Sequence, residues 1–436
     1  MRSTRPWPRH AGLLLAFCLT LQNRVVGAAE PGRGSNSGRS GVPESPEVIA
    51  LTFEEALQLA AERAPELASA RAAETGAARL ERESRSLLVR SPELSVAVGP
   101  RFGDDISGVD VSVTLLQPLS LGGVRAARSR FSAARLQSAR AGSVAVRARM
   151  ALAAGLAWID ARVAGELIRL RARGLQEAEV LDGLAAARLA SGAVTAGERA
   201  LVHAVLGAAR AALLEAQGRR FAADAEIAFY TGLSPEGLEA VGPLELDGPP
   251  ITEAEAVARA GLHSELGYLE AESRVLRRSV EQLRAEGSGI LSVGPSVTRE
   301  ATGDLIILGH VSLPLPFANS NRFEVAERER QALVAEAELV RQRARLRTDT
   351  LVALHERTHA RGLRDALARD AVGPARVALD EAMLRYREGK APLFEVLTAR
   401  RAHSESEERW IEAAGAARAA GLRLLWVTGR LVPEVS

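Results

Sequence analysis

The chain has 436 residues, with 56 basic against 54 acidic residues and only 4% aromatics, a balance that excludes an ordinary basic nucleic-acid-binding surface. Its single cysteine, Cys18, excludes a disulfide framework. Beyond the first thirty residues or so, no apolar run approaches the ~20 residues that a membrane-spanning helix needs, so any crossing of a bilayer would have to be made by strands.

The first elements are targeting signals. Residues 1–29 carry Arg2, Arg5, Arg9 and Arg24 without an acid, then an apolar stretch over residues 11–21, then Gly27-Ala28-Ala29. That is the pattern of a secretory signal peptide cleaved after Ala28 or Ala29. Removing those four arginines from the 56 basic residues leaves 52 against 54 acidic ones, a net charge of −2. Cys18 sits inside the signal; acylation there would need a small preceding residue, and Phe17 is bulky. Residues 30–48 are rich in Gly, Ser and Pro and read as a flexible leader.

From residue 49 onward the chain repeats itself, with a period near 200 residues. Residues 49–235 and 251–431 each run as capped helix, alternating segment, turn, second alternating segment, very long helix, glycine and another helix. Thr52-x-x-Glu55 matches Thr252-x-x-Glu255, the same capping-box spacing. Gly192 matches Gly389 (389 − 192 = 197), and Thr231-Gly232 matches Thr428-Gly429 at the same offset. A period this long marks a duplicated domain half rather than a solenoid.

In the first half, Val109-Asp110-Val111-Ser112-Val113-Thr114-Leu115 alternates apolar and polar residues, the period of a strand with one greasy and one wet face. Its partner is expected over residues 92–102, with the connection starting at Gly103-Asp104-Asp105. In the second half, 289–297 and 305–313 repeat the hairpin across Glu300-Ala301-Thr302-Gly303-Asp304. Each strand is near the ~9–11 residues that cross a bilayer at a tilt. Four strands cannot close a barrel by themselves, so two or more chains would have to share one. If the valines face lipid, Asp110, Ser112 and Thr114 face a water-filled lumen. The alternative is a pair of ordinary surface hairpins, and the near absence of strand aromatics other than Phe102 suits it better.

A proline-free stretch from Gly122 to about Ala187, with a counterpart from Asn319 to about Tyr386, predicts helices of roughly 65 residues, about 100 Å long. Such helices must pack lengthwise on one another. Interior glycines (Gly142, Gly155, Gly165, Gly174) call for close helix contact or local bending. Pro374 should interrupt the second long helix, and both helices are expected to bend at that height. Ser120, and Asn319 or Ser320, are the expected N-caps of the two long helices. Pro118, Pro314 and Pro316 fall where strand gives way to helix.

Four stretches carry a family resemblance. They are Leu51-Thr52-Phe53-Glu54-Glu55-Ala56-Leu57 with Pro65-Glu66-Leu67, and Gln117-Pro118-Leu119-Ser120-Leu121-Gly122-Gly123-Val124-Arg125. The others are Val311-Ser312-Leu313-Pro314-Leu315-Pro316 before Asn319-Ser320-Asn321, and Tyr386-x-x-Gly389 before Leu393-x-x-Val396-Leu397. In order, spacing and duplication the chain resembles the TolC-like outer-membrane efflux channels, and among them the heavy-metal cation (cobalt-zinc-cadmium) branch. The resemblance implies a mainly α chain with membrane β: long helical-tunnel hairpins plus four strands per chain, contributing to a trimeric twelve-stranded barrel.

It further implies a non-enzymatic exit duct of a tripartite pump, seated in the outer-membrane lipid with its helical tunnel in the periplasm, without cofactor. Its partners would be two further copies of itself, a periplasmic adaptor (membrane fusion) protein and an inner-membrane pump of the resistance-nodulation-division (RND) type. Heavy-metal cations are the cargo of the resembled branch; a drug-efflux or type I secretion channel is the alternative. The family places acids at a periplasmic aperture, which map here to Glu198 and Glu395, equivalent in the two halves; a ring of such carboxylates attracts cations. A second family acid corresponds to Thr398 and is absent. Tyr386 matches a family tip tyrosine, and Lys390 lies beside it, toward solvent or the adaptor.

One motif points to another class. His355-Glu356-Arg357-Thr358-His359, continuing to Gly362 and Asp365, fits a zinc-peptidase helix in which two imidazoles hold the metal and the glutamate activates water. A secreted zinc metalloprotease is therefore the alternative of another class, and a soluble periplasmic coiled-coil scaffold a third. Against the protease, the helical pattern continues past Gly362 through Leu363, Ala366 and Leu367, and the offset-197 counterparts of the two histidines are Trp158 and Arg162.

Overall fold

The computed structural model describes residues 49–86, 91–102, 107–119, 123–244, 250–287, 291–313 and 321–431, all within one unit, Pro46–Ser436. The expected signal peptide, Cys18 and the leader lie outside the described residues, as do Ser120, Pro314, Pro316, Asn319 and Ser320.

In the first half the elements are β1 (Ile49–Leu51), α1 (Phe53–Arg63), α2 (Glu66–Glu83), β2 (Glu93–Phe102), β3 (Ser107–Leu119), α3 (Val124–Ala190), α4 (Ala196–Thr231) and β4 (Leu238–Ala240). The second half repeats the order with α5 (Glu253–Ala260), α6 (Ser264–Glu286), β5 (Leu291–Arg299), β6 (Leu305–Ser312) and α7 (Arg322–Leu367). A π turn (Ala368–Val372), α8 (Gly373–Arg387) and α9 (Leu393–Val427) complete it.

The duplicated caps are used unequally. The Thr52 hydroxyl accepts the Glu55 N–H at 3.3 Å while the Glu55 carboxylate accepts the Thr52 N–H at 2.9 Å, a complete capping box. Thr252 likewise accepts from the Glu255 N–H at 3.3 Å. The Glu255 carboxylate turns instead to Arg259, 3.0 Å away, so α5 keeps half of the box.

Helix α3 runs 67 residues, about 100 Å at 1.5 Å per residue. Its counterpart is 46 residues of α7, the five-residue π turn and 15 residues of α8. Pro374 has no N–H to donate and its ring would clash with the carbonyl of Asp370, so the chain widens by one residue just before it. At the matching height α3 carries no break in its helical hydrogen bonding, and the expected pair of bends becomes an interruption on one side only. The expected serine and asparagine caps are also replaced. The residues preceding α3 and α7 are Gly123 (φ 85°) and Asn321 (φ 56°), both left-handed and neither giving a side-chain cap. Tolerance of positive φ therefore fixes these entries, and Gly and Asn are the residues that tolerate it best.

Shorter helices lie along both long ones. Helix α2 follows the first part of α3, with Arg140 and Glu74 paired at 3.4 Å, and α4 follows its last part, where Arg199 forks onto Asp182. Helix α6 lies against both α3 and α7, with Arg277 and Glu336 2.7 Å apart. Helix α9 packs on α7, α8 and α3.

Small residues set the spacing. A Cβ on Gly155 would come within 2.7 Å of Leu422 and 2.8 Å of Leu57, and one on Gly415 within 2.4 Å of Val163. Close approach is thus what these glycines contribute, at roughly 1 kcal/mol of helix propensity each. Gly174, by contrast, meets Arg400 only at ordinary contact distance.

The main core gathers around Trp158, with Phe53, Ile159, Ile227, Leu238 and Leu422. Phe53 meets the indole edge-on at 5.3 Å, and the indole N–H donates to the Leu51 carbonyl at 2.9 Å. Above it lies a parallel ribbon of β1 and β4, paired Ile49 with Leu238, Ala50 with Glu239 and Leu51 with Ala240. Arg162 ties down the ribbon's far end by donating to the Gly242 carbonyl at 2.9 Å.

Strands β2, β3, β5 and β6 form a single antiparallel sheet in that order, as two hairpins. Register sorts their side chains into faces. Val96, Val113, Val297 and Ile307 stand in one row across the four strands, and all four are exposed. The neighbouring row, on the other face, is Ala97, Ser112, Thr298 and Ile306. Strands β2 and β6 each have one edge without a partner in the sheet. Among the described residues no helix is long and apolar enough to cross a membrane.

Candidate conduit and helical tip

Two regions hold the residues singled out from the sequence. On the polar face of the sheet, Asp110, Ser112 and Thr114 project together and are half-buried. The Thr114 and Ser296 hydroxyls are 2.8 Å apart, and Thr298 donates to Ser112 at 3.0 Å. Asp110 accepts the Ala301 N–H at 2.7 Å and pairs with Arg101 at 3.2 Å. Arg101 also reaches Glu300 at 2.6 Å. A hydrogen-bonded polar strip thus crosses from one hairpin to the other, ending in a charged cluster where the strands turn. Arg101 and Glu300 were not anticipated. The signal was present, since each is a charge beside a hairpin connection, but their separation of 199 residues hides the pairing.

The second region is the far end of the long helices. Gly192 (φ 72°) and Gly389 (φ 78°) occupy the same left-handed position after α3 and α8, and each turn closes with the same bonds. The Ala193 N–H donates to Arg188 O, and the Lys390 N–H to Arg385 O, both at 2.8 Å. Beyond these turns the halves diverge. Thr195 caps α4 in a full box: its N–H donates to the Glu198 carboxylate at 2.8 Å and its hydroxyl accepts the Glu198 N–H at 3.2 Å. The Thr195 backbone N–H, and then its hydroxyl, hold the Glu198 carboxyl below its ordinary pKa. Pro392 precedes α9 with no side-chain cap. Glu395 turns to Arg385, 2.9 Å away.

The two equivalent acids are therefore both half-exposed and both engaged within the chain, one by a helix end and one by a cation. Thr398, where the second acid would stand, bonds back to Phe394 O at 2.8 Å. Lys390 pairs with Glu388 at 2.7 Å.

Tyr386 does not present its ring to an opening within this chain. It is 2% exposed, packed with Leu181, Val202, Leu393 and Val396, and the Arg188 guanidinium lies over it at 4.2 Å. Its counterpart at offset 197, Leu189, is exposed. Sequence pattern could not separate the two, because each follows an arginine at a helix end.

His355, Glu356 and His359 lie exposed in the middle of α7. The helix continues to Leu367, so Gly362 does not end it and Asp365 cannot swing round as a third ligand. Among the described residues no group of three or more His, Cys, Asp or Glu side chains could hold a metal ion. The zinc-peptidase reading fails on this geometry.

No family model matches the chain. It is similar to the cobalt-zinc-cadmium resistance protein CzcC of Cupriavidus metallidurans, 25% identical over 318 residues that cover 72% of this chain and 75% of that one. Its fold is similar to that of the CmeC outer membrane channel of Campylobacter jejuni, with a TM-score of 0.74 at 15% identity over 88% of this chain and 87% of the other. A membrane protein from Pseudomonas aeruginosa superposes with a TM-score of 0.72 at 18% identity, covering 92% of this chain and 96% of its own. The fold is therefore that of an outer-membrane channel protein.

Proposed function

We infer that this chain is a TolC-like outer-membrane efflux channel, a passive duct and not an enzyme, built as a homotrimer. The observation that carries this is the four-stranded sheet with a greasy face and two unpaired edges, joined to helices of about 100 Å. Lipid cannot satisfy an open strand edge, so β6 of one copy must pair with β2 of the next until the ring closes. Three copies give twelve strands, with the valine rows against outer-membrane lipid and Asp110, Ser112 and Thr114 toward water. The same closure gathers the long helices into a periplasmic tunnel.

A duct open to the periplasm needs a driven partner, and the expected ones are a periplasmic adaptor protein and an inner-membrane RND pump. Likeness to the cobalt-zinc-cadmium resistance protein favours heavy-metal cations as cargo. The alternative cargo assignment is a drug-efflux or type I secretion channel of the same fold. At the tip, Glu198 and Glu395 are proposed to line the aperture. Because Arg385 offsets Glu395, Glu198 supplies most of the uncompensated negative field there.

The test is the protein-only mass of the species extracted in detergent from isolated outer membranes. Three chains per particle is the expected result; a monomer recovered from the soluble periplasm would overturn the channel.

A further inference from the structure

We propose that His355 and His359 form a two-imidazole binding site for a borderline divalent cation of the copper, nickel or zinc class on the wall of α7. The two residues are one helical turn apart, their rings lie 6.2 Å between centroids and 25° from parallel, and both are exposed. Side chains at this spacing stand on one face, so rotation about χ1 and χ2 brings one nitrogen of each ring to a shared ion. Water fills the remaining positions. Imidazole pairs suit this class of cation and not magnesium or calcium.

Three observations separate this pair from ordinary surface histidines. First, among the described residues neither ring has a hydrogen bond or ion pair, and their only ring contact is with each other. Second, the pair lies away from the packing seam. The buried stripe of α7 includes Leu346, Thr350 and Ala353, and Ala353 packs on Leu424 and Val427 of α9. His355 stands two residues beyond Ala353, about 200° round the helix. The duplicated half uses the equivalent positions structurally: Trp158 and Arg162 clasp the β1–β4 ribbon through Leu51 O and Gly242 O. No described strand covers α7 in that way, so the histidines are relieved of that task.

Third, no basic residue stands on the pair's own face; the flanking arginines, Arg357 and Arg361, are two positions from His359. In a chain with 56 basic residues, the positions three and four removed from the pair are Leu351, Val352, Glu356, Thr358, Gly362 and Leu363, none of them basic. Glu356 is exposed three residues before His359. Cation binding here uses the unprotonated ring nitrogens.

The site belongs to the chain itself and does not depend on which cargo the channel carries. The test uses the full chain in detergent, purified without a histidine tag, stripped with chelator and titrated at neutral pH with Cu²⁺, Zn²⁺ and Mg²⁺. Calorimetry should show copper tighter than zinc and no magnesium binding, and the copper resonance spectrum should carry coupling to two nitrogens. H355Q/H359Q should lose this binding at unchanged oligomer mass, each single variant should drop to one coupled nitrogen, and H203Q at the tip should keep both. Binding of equal strength in the double variant, or a copper spectrum without nitrogen coupling, would overturn the proposal.

Discussion

The belt around Trp158 and the matching stretch of α7 occupy the same place in the duplicated plan, yet one is core and the other is surface. In the first half, β1 and β4 lie over the helix and are held by an indole N–H and a guanidinium. In the second, His355 and His359 take those positions and stand exposed. Duplication therefore conserved the helices and their turns while freeing one copy's outer face. A repeated sequence fixes backbone geometry more firmly than it fixes what each face touches.

The sharpest way to break this comparison is to truncate both members. Trp158→Ala empties the centre of the main core and should cost about 3–5 kcal/mol, read as a fall in the thermal midpoint of the detergent-extracted particle. His355→Ala should change stability by no more than about 0.5 kcal/mol. Equal losses would show that the two faces are equally covered in the assembled protein.

A smaller effect is expected at the tips, which share a turn and differ in what caps the next helix. Thr195→Ala removes the side chain that closes the box and should cost about 1 kcal/mol, visible as faster amide exchange over residues 196–199. Pro392→Ala should leave residues 393–396 unchanged, because Pro392 makes no side-chain cap. The Thr195 box also carries a pH signature. The folded pKa of Glu198 lies below its unfolded value of 4.5, so the box stabilises fully above that pH and is lost as pH falls through the lower folded value. Protection of these amides, relative to their intrinsic exchange rate, should fall only in that acid window.

The smallest effect is on ion selectivity. Glu198→Gln keeps the capping geometry and removes the charge, so it should lower cation selectivity in a planar bilayer. Glu395→Gln should do less, since Arg385 already neutralises it. An equal shift of reversal potential in the two variants would mean that the Arg385 pair opens in the assembled pore.

Much of the fold was legible because long periods and long patterns are robust. The glycines at 192 and 389 mark helix ends at the same offset, and both adopt left-handed φ. The alternation of residues 109–115 foretold a strand that runs from Ser107 to Leu119. What escaped was short or context-dependent. The three residues of β1 and of β4 are too few to show a period, and they form only because α3 offers Trp158 beneath them. The caps at Gly123 and Asn321 depend on backbone handedness rather than on a side-chain oxygen. Resemblance pointed to Tyr386 and the two acids, but neither the burial of the tyrosine under Arg188 nor the different partners of the acids could be read from spacing.

The two unpaired edges of the sheet have a genetic consequence. In the proposed three-copy ring each copy completes its neighbour on either side, so one faulty edge spoils a whole ring rather than a third of it. In a cell making sound and edge-defective chains in equal amounts, only about one closed ring in eight would be free of a defective copy. A lesion in β2 or β6 that leaves the helices folded would therefore behave as a dominant poison, whereas a lesion that stops the chain from folding would be recessive.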